Sequence, residues 1–164
     1  MFSARRRGAM MALLLAPLAA WALERGDAAP EFTLDGQAGA VRLADFKGKL
    51  VYLDFWASWC GPCKQSFPWM NELQARYREQ GLRVVGVNVD KQRADADRFL
   101  ARVPAQFALA FDAAGQAPRS YGVKAMPTSV LIDPSGRILE IHSGFSEEER
   151  AERERKIRRA LNLN

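Results

Sequence analysis

Cysteine and histidine are scarce in this chain, and their scarcity excludes two kinds of small scaffold. The 164 residues include two cysteines, Cys60 and Cys63, and one histidine, His142. One pair of cysteines is too few for a disulfide-rich scaffold. A structural zinc site needs four ligands, and a site built on this pair would find only one histidine to add. The pair of cysteines therefore needs another explanation.

The chain also lacks a strong excess of charge and an apolar run long enough to span a bilayer comfortably. Hydrophobic residues make up 48% and charged residues 26% of it, as in ordinary soluble domains. This composition excludes a disordered chain, a collagen-like fibre and a polytopic membrane protein. The net charge is +5, but Arg5, Arg6 and Arg7 supply three of these charges. We therefore expect one domain and no nucleic-acid partner.

Residues 1–22 contain no acid and have the pattern of an export signal. Three arginines precede an apolar run over residues 8–23, and Ala20-Trp21-Ala22 offers an Ala-x-Ala cleavage site. A buried helix and an uncleaved membrane anchor are the alternatives, and no cysteine follows the run to carry a lipid. We predict export to the periplasm, with residues 23–164 as the domain. That domain is either released by cleavage near Ala22 or anchored to the inner membrane.

Apolar periodicity predicts alternating strands and helices, and hence an α/β fold with a mixed sheet. The runs 50–56 and 82–89 are apolar throughout, as expected of strands covered on both faces. Pro134-Ser135-Gly136 predicts a turn that returns the chain as an antiparallel strand. The predicted strands are a hairpin of 31–34 and 40–43, then 50–56, 82–89, 128–133 and 137–142, with a short apolar piece at 107–111. The predicted helices are 60–81, 91–103 and 147–161, with a helical turn at 117–121.

The last two long helices carry more specific expectations. The charge run Glu147–Arg159 contains five acids and six bases, and it is interpreted as a solvated face with pairs four residues apart. The core-facing residues predicted for these helices are Ala94, Phe99, Leu100 and Val103 in the first, and Ile157, Ala160 and Leu161 in the second.

The spacing of the two cysteines predicts redox chemistry. Cys60 comes shortly after a buried strand and at the start of a helix, where unsatisfied N–H groups and the helix dipole favour a thiolate. Cys63, one turn later, lies on the same face and within reach of a disulfide. We expect the more exposed Cys60 to attack a substrate and Cys63 to resolve the mixed disulfide. Pro62 stiffens the turn between them. A purely structural disulfide is the alternative, but closing so short a loop removes little chain entropy.

The residues around this pair resemble the active-site stretch of thioredoxin, which reads Asp54-Phe55-Trp56-Ala57-Ser58-Trp59-Cys60-Gly61-Pro62-Cys63-Lys64 here. Pro68 falls where thioredoxins carry a helix-kinking proline, and Gly122–Thr128 resembles the segment with their cis-proline. The opening, Gly26–Leu34 through Lys47-Gly48-Lys49, is similar to that of the exported TlpA/ResA-like branch, which overlaps in sequence with peroxiredoxins. The resemblance covers roughly residues 26–161. It implies a thioredoxin fold with an N-terminal hairpin extension.

The resemblance also implies roles for individual residues. Pro127 is expected to be cis and to lie beside Cys60, with the Met126 backbone available to an extended substrate segment. Trp59, Gly61 and Pro62 would form the substrate-binding rim, with Trp56 in the core and Trp69 in packing or at the surface.

Asp54 lies among apolar neighbours, so we expect it to be buried with a raised pKa. The resemblance makes it the acceptor of the Cys63 proton. A buried aspartate that only bonds backbone is the alternative.

The implied activity is dithiol–disulfide exchange with protein substrates, in the reducing direction. The resemblance further implies recharging by a membrane thiol-transfer protein and a role in cytochrome c maturation. We expect no cofactor, and the scarcity of further ligands predicts no metal site. Two alternatives stay open: a thiol peroxidase, although Ala57-Ser58-Trp59 before Cys60 does not fit its Thr/Ser-x-x-Cys setting, and a non-catalytic copper-binding domain of the same fold. His142 is expected to be structural or exposed.

Overall fold

The structure is a computed structural model that describes residues 23–163. The predicted signal in residues 1–22 lies outside the described part of the chain. Residues 23–163 form seven strands and four α-helices. The strands are β1 Thr33–Gly36, β2 Gly39–Arg42, β3 Leu50–Trp56, β4 Leu82–Asn88, β5 Ala108–Phe111, β6 Thr128–Ile132 and β7 Ile138–Ser143. The helices are α1 Gly61–Tyr77, α2 Arg93–Leu100, α3 Gln116–Ser120 and α4 Arg150–Ala160, and a 3-10 helix covers Leu43–Phe46.

The strands form one mixed sheet in the order β2-β1-β5-β4-β3-β6-β7. Strand β4 runs parallel to β3 and to β5, while β6 is antiparallel to β3 and to β7. All seven residues of β3 are buried, which confirms the strand predicted from continuous apolarity. The predicted hairpins are also found: β1 pairs with β2, and β6 with β7, both antiparallel.

Two layers of side chains cover the sheet, and the alternation along β3 assigns its residues to them. Tyr52 and Trp56 pack in the cluster that contains Cys63 and residues of α1, α2 and α4. Val51, Leu53 and Phe55 pack on the other face with residues of α3 and the N-terminal segment. Asp54 lies between Tyr52 and Trp56 in the strand, so it shares the face of the cysteines.

The structure corrects details of two predicted helices. In α2, Ala94 is exposed, and Ala96 is buried instead. Ala96 lies three residues before the buried Phe99, so the two share a helical face, whereas Ala94 does not. The final helix begins at Arg150, because residues 147–149 form a turn before it.

The interpretation of the charge run Glu147–Arg159 as a solvated helix face is wrong at one position. Arg153 of α4 is buried, with 6% of its surface exposed. The ion pairs within this segment also join residues three apart, Glu147 with Arg150 and Glu152 with Arg155, rather than four apart. Ile157 is buried, as predicted.

Across residues 23–163, no helix is both long and apolar enough to cross a membrane.

Candidate active site at the amino end of helix α1

The cysteine pair lies at the junction between the end of β3 and the first turn of α1. Cys60 is the N-cap of α1, with extended backbone, and its Sγ accepts a hydrogen bond from the Cys63 N–H at 3.2 Å. The two sulfurs form a disulfide across Cα atoms 5.3 Å apart. Pro62 occupies the first turn, where a missing N–H costs nothing. The same N–H groups are placed to stabilise a thiolate on Cys60 when the disulfide is reduced.

The two sulfur-bearing residues differ in access, as predicted. Cys60 is 5% exposed and Cys63 is fully buried at 0%. Around Cys60 the surface is open: Gly61 and Pro62 are exposed, and Trp59 is 71% exposed. An approaching partner therefore meets Cys60 and this apolar rim before it meets Cys63.

The segment before β6 lies at the same edge of the sheet. The pairing of Phe55 with Thr128 places the start of β6 beside the end of β3. The Met126–Pro127 peptide bond is cis, which confirms that expectation. Thr128 holds the loop by donating its hydroxyl to the Ala125 carbonyl at 2.7 Å.

Trp56 and Trp69 are packing residues. Trp56 is 0% and Trp69 is 1% exposed. Trp56 lies with its ring centroid 4.8 Å from that of Phe67, and Trp69 packs edge-on to Tyr52 at 5.7 Å. The core position expected for Trp56 is confirmed, and Trp69 takes the packing alternative.

Asp54 is buried beneath this site, as its apolar neighbours predict. It is 2% exposed, and its Oδ2 atom has no hydrogen-bond partner among the described residues. Burial raises the pKa of Asp54 to about 8, and the positive charge of Arg153 opposes part of that rise. A carboxyl group in this range is close to the ordinary pKa of a thiol, about 8.5. Proton exchange between the two groups is therefore nearly balanced.

Asp90 is a site residue that the sequence reasoning missed. It follows β4 and is 5% exposed. Its carboxylate accepts hydrogen bonds from the Ser58 N–H at 3.0 Å, the Ser58 hydroxyl at 3.0 Å and the Asn88 side chain at 2.8 Å. Ser58 lies two residues before Cys60, so Asp90 fixes the loop that carries the nucleophile.

A signal for Asp90 was present in the sequence. Polar Asn88 ends an apolar strand and Asp90 follows it two residues later, and the carboxyl ends of adjacent parallel strands meet at one edge of a sheet. Because β3 and β4 are parallel neighbours, the residues after β4 face those after β3.

His142 lies on β7 and is half-buried, with its Nε2 atom 3.3 Å from a Glu149 carboxylate oxygen. Within residues 23–163, no three histidine, cysteine, aspartate or glutamate side chains converge into a group that could hold a metal ion.

Comparison with known proteins gives related sequences over nearly the whole described chain. The model of the Redoxin family matches residues 24–161. "Thiol-disulfide oxidoreductase ResA" of Bacillus cereus is 36% identical over 131 residues, which cover 79% of this chain and 76% of that protein. The protein of the same name from Bacillus subtilis is 34% identical over 123 residues, 74% of this chain and 69% of its own length.

Solved structures that resemble this chain also include thiol-disulfide proteins. The crystal structure of a thiol:disulfide interchange protein DsbE from Chlorobium tepidum has a TM-score of 0.84 and 56% identity, over 85% of this chain and 99% of that one. The exposed lipoprotein thioredoxin Etrx1 of Streptococcus pneumoniae has a TM-score of 0.67 and 31% identity, over 78% and 99%. These likenesses confirm the thioredoxin fold expected from the sequence.

Proposed function

We propose, from the premise that this chain belongs to the Redoxin family and is a thiol-disulfide oxidoreductase, that it is an exported reductant of protein disulfides. One observation carries the proposal: the N-cap Cys60 and the buried Cys63 form a disulfide behind an exposed apolar rim. That arrangement leaves Cys60 the more accessible of the two cysteines and keeps Cys63 behind it. Dithiol–disulfide exchange needs both.

The proposed cycle assigns one step to each sulfur. The Cys60 thiolate attacks a substrate disulfide, forming a mixed disulfide and expelling one substrate thiolate. Cys63 then gives its proton to Asp54 and attacks the Cys60 sulfur. This closes the Cys60–Cys63 disulfide and expels the second substrate thiolate. Two electrons pass to the substrate, and the protein leaves oxidised.

Substrate contacts are proposed for the residues around Cys60. Trp59, Gly61 and Pro62 are exposed beside it, and they offer an apolar surface to a partner chain. The loop of Met126 and Pro127 lies at the same edge of the sheet, where a Met126 backbone group could pair with an extended substrate segment.

The reducing direction is supported by the Gly-Pro pair between the cysteines, as in thioredoxin, whose potential is about −270 mV. Equilibration with glutathione buffers should give this protein a similarly negative potential. A value near that of a strong periplasmic oxidant, about −120 mV, would reverse the assigned direction.

We place the protein in the periplasm because residues 1–22 have the pattern of an export signal. Cleavage near Ala22 would release the domain, and retention of residues 8–23 would anchor it. Fractionation of expressing cells, with N-terminal sequencing of the product, distinguishes the two; recovery of the full-length chain in the cytosol would contradict export.

The partners proposed are protein disulfides, including those of cytochrome c maturation, and a membrane thiol-transfer protein that restores the dithiol. A Cys63→Ser variant should trap its substrate, because no second thiol resolves the mixed disulfide. Mass spectrometry of adducts captured in cells would identify the partner. A Cys60→Ser variant is the matched control and should capture nothing. Equal adducts on both variants would contradict the assignment of Cys60 as nucleophile.

A further inference from the structure

Arg153 is a buried cation that the reaction described so far does not use. It enters the core from α4 and is 6% exposed. Its guanidinium donates hydrogen bonds to the Tyr52 hydroxyl and the Ser129 hydroxyl, and to the Gly144 carbonyl at 3.4 Å. It also lies 5.3 Å from the centroid of the Trp69 ring. Arginine is seldom buried unless it is paired. Yet Arg153 forms no ion pair with any carboxylate in residues 23–163, as the set of ion pairs there shows.

The register between β3 and β6 places the positive charge of Arg153 close to Asp54. Asp54 pairs directly with Ser129, so the two side chains lie on the same face of the sheet. Arg153 bonds to the Ser129 hydroxyl, which places its positive charge one side chain away from the Asp54 carboxyl group. Asp54 is itself buried with an unpartnered Oδ2 atom. The Arg153 cation and the Asp54 carboxyl group thus lie close together in the core without a direct hydrogen bond between them.

The other charged and titratable groups around Asp54 leave Arg153 as its main electrostatic neighbour. On β4, Gly86 faces Asp54 and carries no charge. On α1, Cys63 is the proton donor of the proposed cycle. On β3, burial raises the pKa of Tyr52, which keeps it neutral at ordinary pH.

Charged and titratable groups on β7 and α4 lie beside partners of their own. Glu140 pairs with Lys156 at 2.6 Å, and His142 lies 3.3 Å from Glu149. Arg153 is the charged group that lowers the pKa of Asp54 against the effect of burial.

We propose that Arg153 is a positioning residue for the exchange reaction, because its buried charge stabilises the carboxylate form of Asp54 and so sets how readily Asp54 accepts the Cys63 proton. The second half rests on the proposed function, in which Asp54 is that acceptor. An opposite charge lowers the pKa of a carboxyl group. Loss of Arg153 should therefore raise the pKa of Asp54 above its present value of about 8.

The test uses variants that differ in charge but not greatly in size. Arg153→Met removes the charge and keeps a long apolar chain, and Arg153→Lys keeps the charge. The Asp54 carboxyl group is titrated by carbon-13 NMR. Arg153→Met should titrate about one pH unit higher than wild type, and Arg153→Lys close to wild type. Arg155→Met is the matched control on the exposed side of α4, and it should leave the titration unchanged.

Should Arg153→Met fail to fold, Arg153→Gln supplies a neutral side chain that still donates hydrogen bonds. Its Asp54 titration should also move upward. An Asp54 titration that is unchanged in a folded, neutral Arg153 variant would overturn the inference.

The exchange kinetics separate this inference from the proposed role of Asp54. Resolution of a mixed disulfide should follow the titration of Asp54, so the midpoint of its pH profile should rise by about one pH unit in Arg153→Met. In an Asp54→Asn background, Arg153→Met should have no further effect on the pH profile. If the Asp54 titration moves in Arg153→Met but the pH profile of resolution does not, then Arg153 acts on Asp54 as proposed, but Asp54 is not the acceptor of the Cys63 proton.

Discussion

A carboxyl group enclosed by apolar side chains makes the stability of the fold depend on pH. Asp54 keeps its proton in the folded protein up to about pH 8, whereas an aspartate in an unfolded chain releases it near 3.9. Between these two values, unfolding releases a proton. Raising the pH through this window therefore favours the unfolded chain.

Asp54→Asn should be more stable than wild type at neutral pH, because asparagine has no proton to lose on unfolding. The expected gain in the free energy of unfolding is on the order of 4 kcal/mol at pH 7 and falls towards zero near pH 4. Urea unfolding of the oxidised proteins at the two pH values measures it. Asp35→Asn, at an exposed position on β1, is the control and should follow wild type. An equal gain at both pH values would show that ionisation is not the cause.

The element that carries the nucleophile is a short loop, and it is stabilised from a neighbouring strand. Residues 57–59 lie between β3 and α1, and Asp90 after β4 binds both the backbone and the hydroxyl of Ser58. Hydrogen bonds to a charged group are the stronger kind, and leaving buried donors without an acceptor costs about 1–3 kcal/mol. Asp90 thus contributes to the position of Cys60 without contacting a substrate.

Asp90→Ala should lower the free energy of unfolding by about 2 kcal/mol, because the Ser58 and Asn88 donors lose their acceptor. The loop should also open more often, so hydrogen exchange at the Ser58 amide should speed up at least about tenfold. Asp97→Ala is the comparison, since it breaks only the exposed pair of Arg93 with Asp97 and should cost about 0.5 kcal/mol or less. Wild-type protection of Ser58 in Asp90→Ala would rule out this role.

At the scale of the whole molecule, local patterns predict the strands and the cysteine pair, but not the contacts between distant segments. The apolar run 50–56 and the N-cap position of Cys60 follow from neighbours in the sequence. The burial of Arg153 does not, because its helix has charges on every side and only docking against Tyr52 and Ser129 selects one of them. The same holds for Asp90, whose partner Ser58 lies 32 residues away.

The proposed direction of electron flow also makes a statement about the whole fold. A protein that gives electrons away readily must favour its own disulfide over its dithiol. When folding strengthens that preference relative to the unfolded chain, a thermodynamic cycle requires the oxidised fold to be more stable than the reduced one. The difference is about 1.4 kcal/mol for every 30 mV by which folding lowers the potential.

Urea unfolding of the oxidised and the reduced protein should therefore give a higher midpoint for the oxidised form. A variant with both Cys60→Ser and Cys63→Ser changes has no redox couple, so its midpoint should not respond to dithiothreitol. This control separates the couple from any general effect of the reductant. A more stable reduced form would indicate an oxidant, because strong oxidants of this chemistry owe their high potential to a stabilised dithiol. Cys60 would then still exchange disulfides, but electrons would flow from the substrate to this protein.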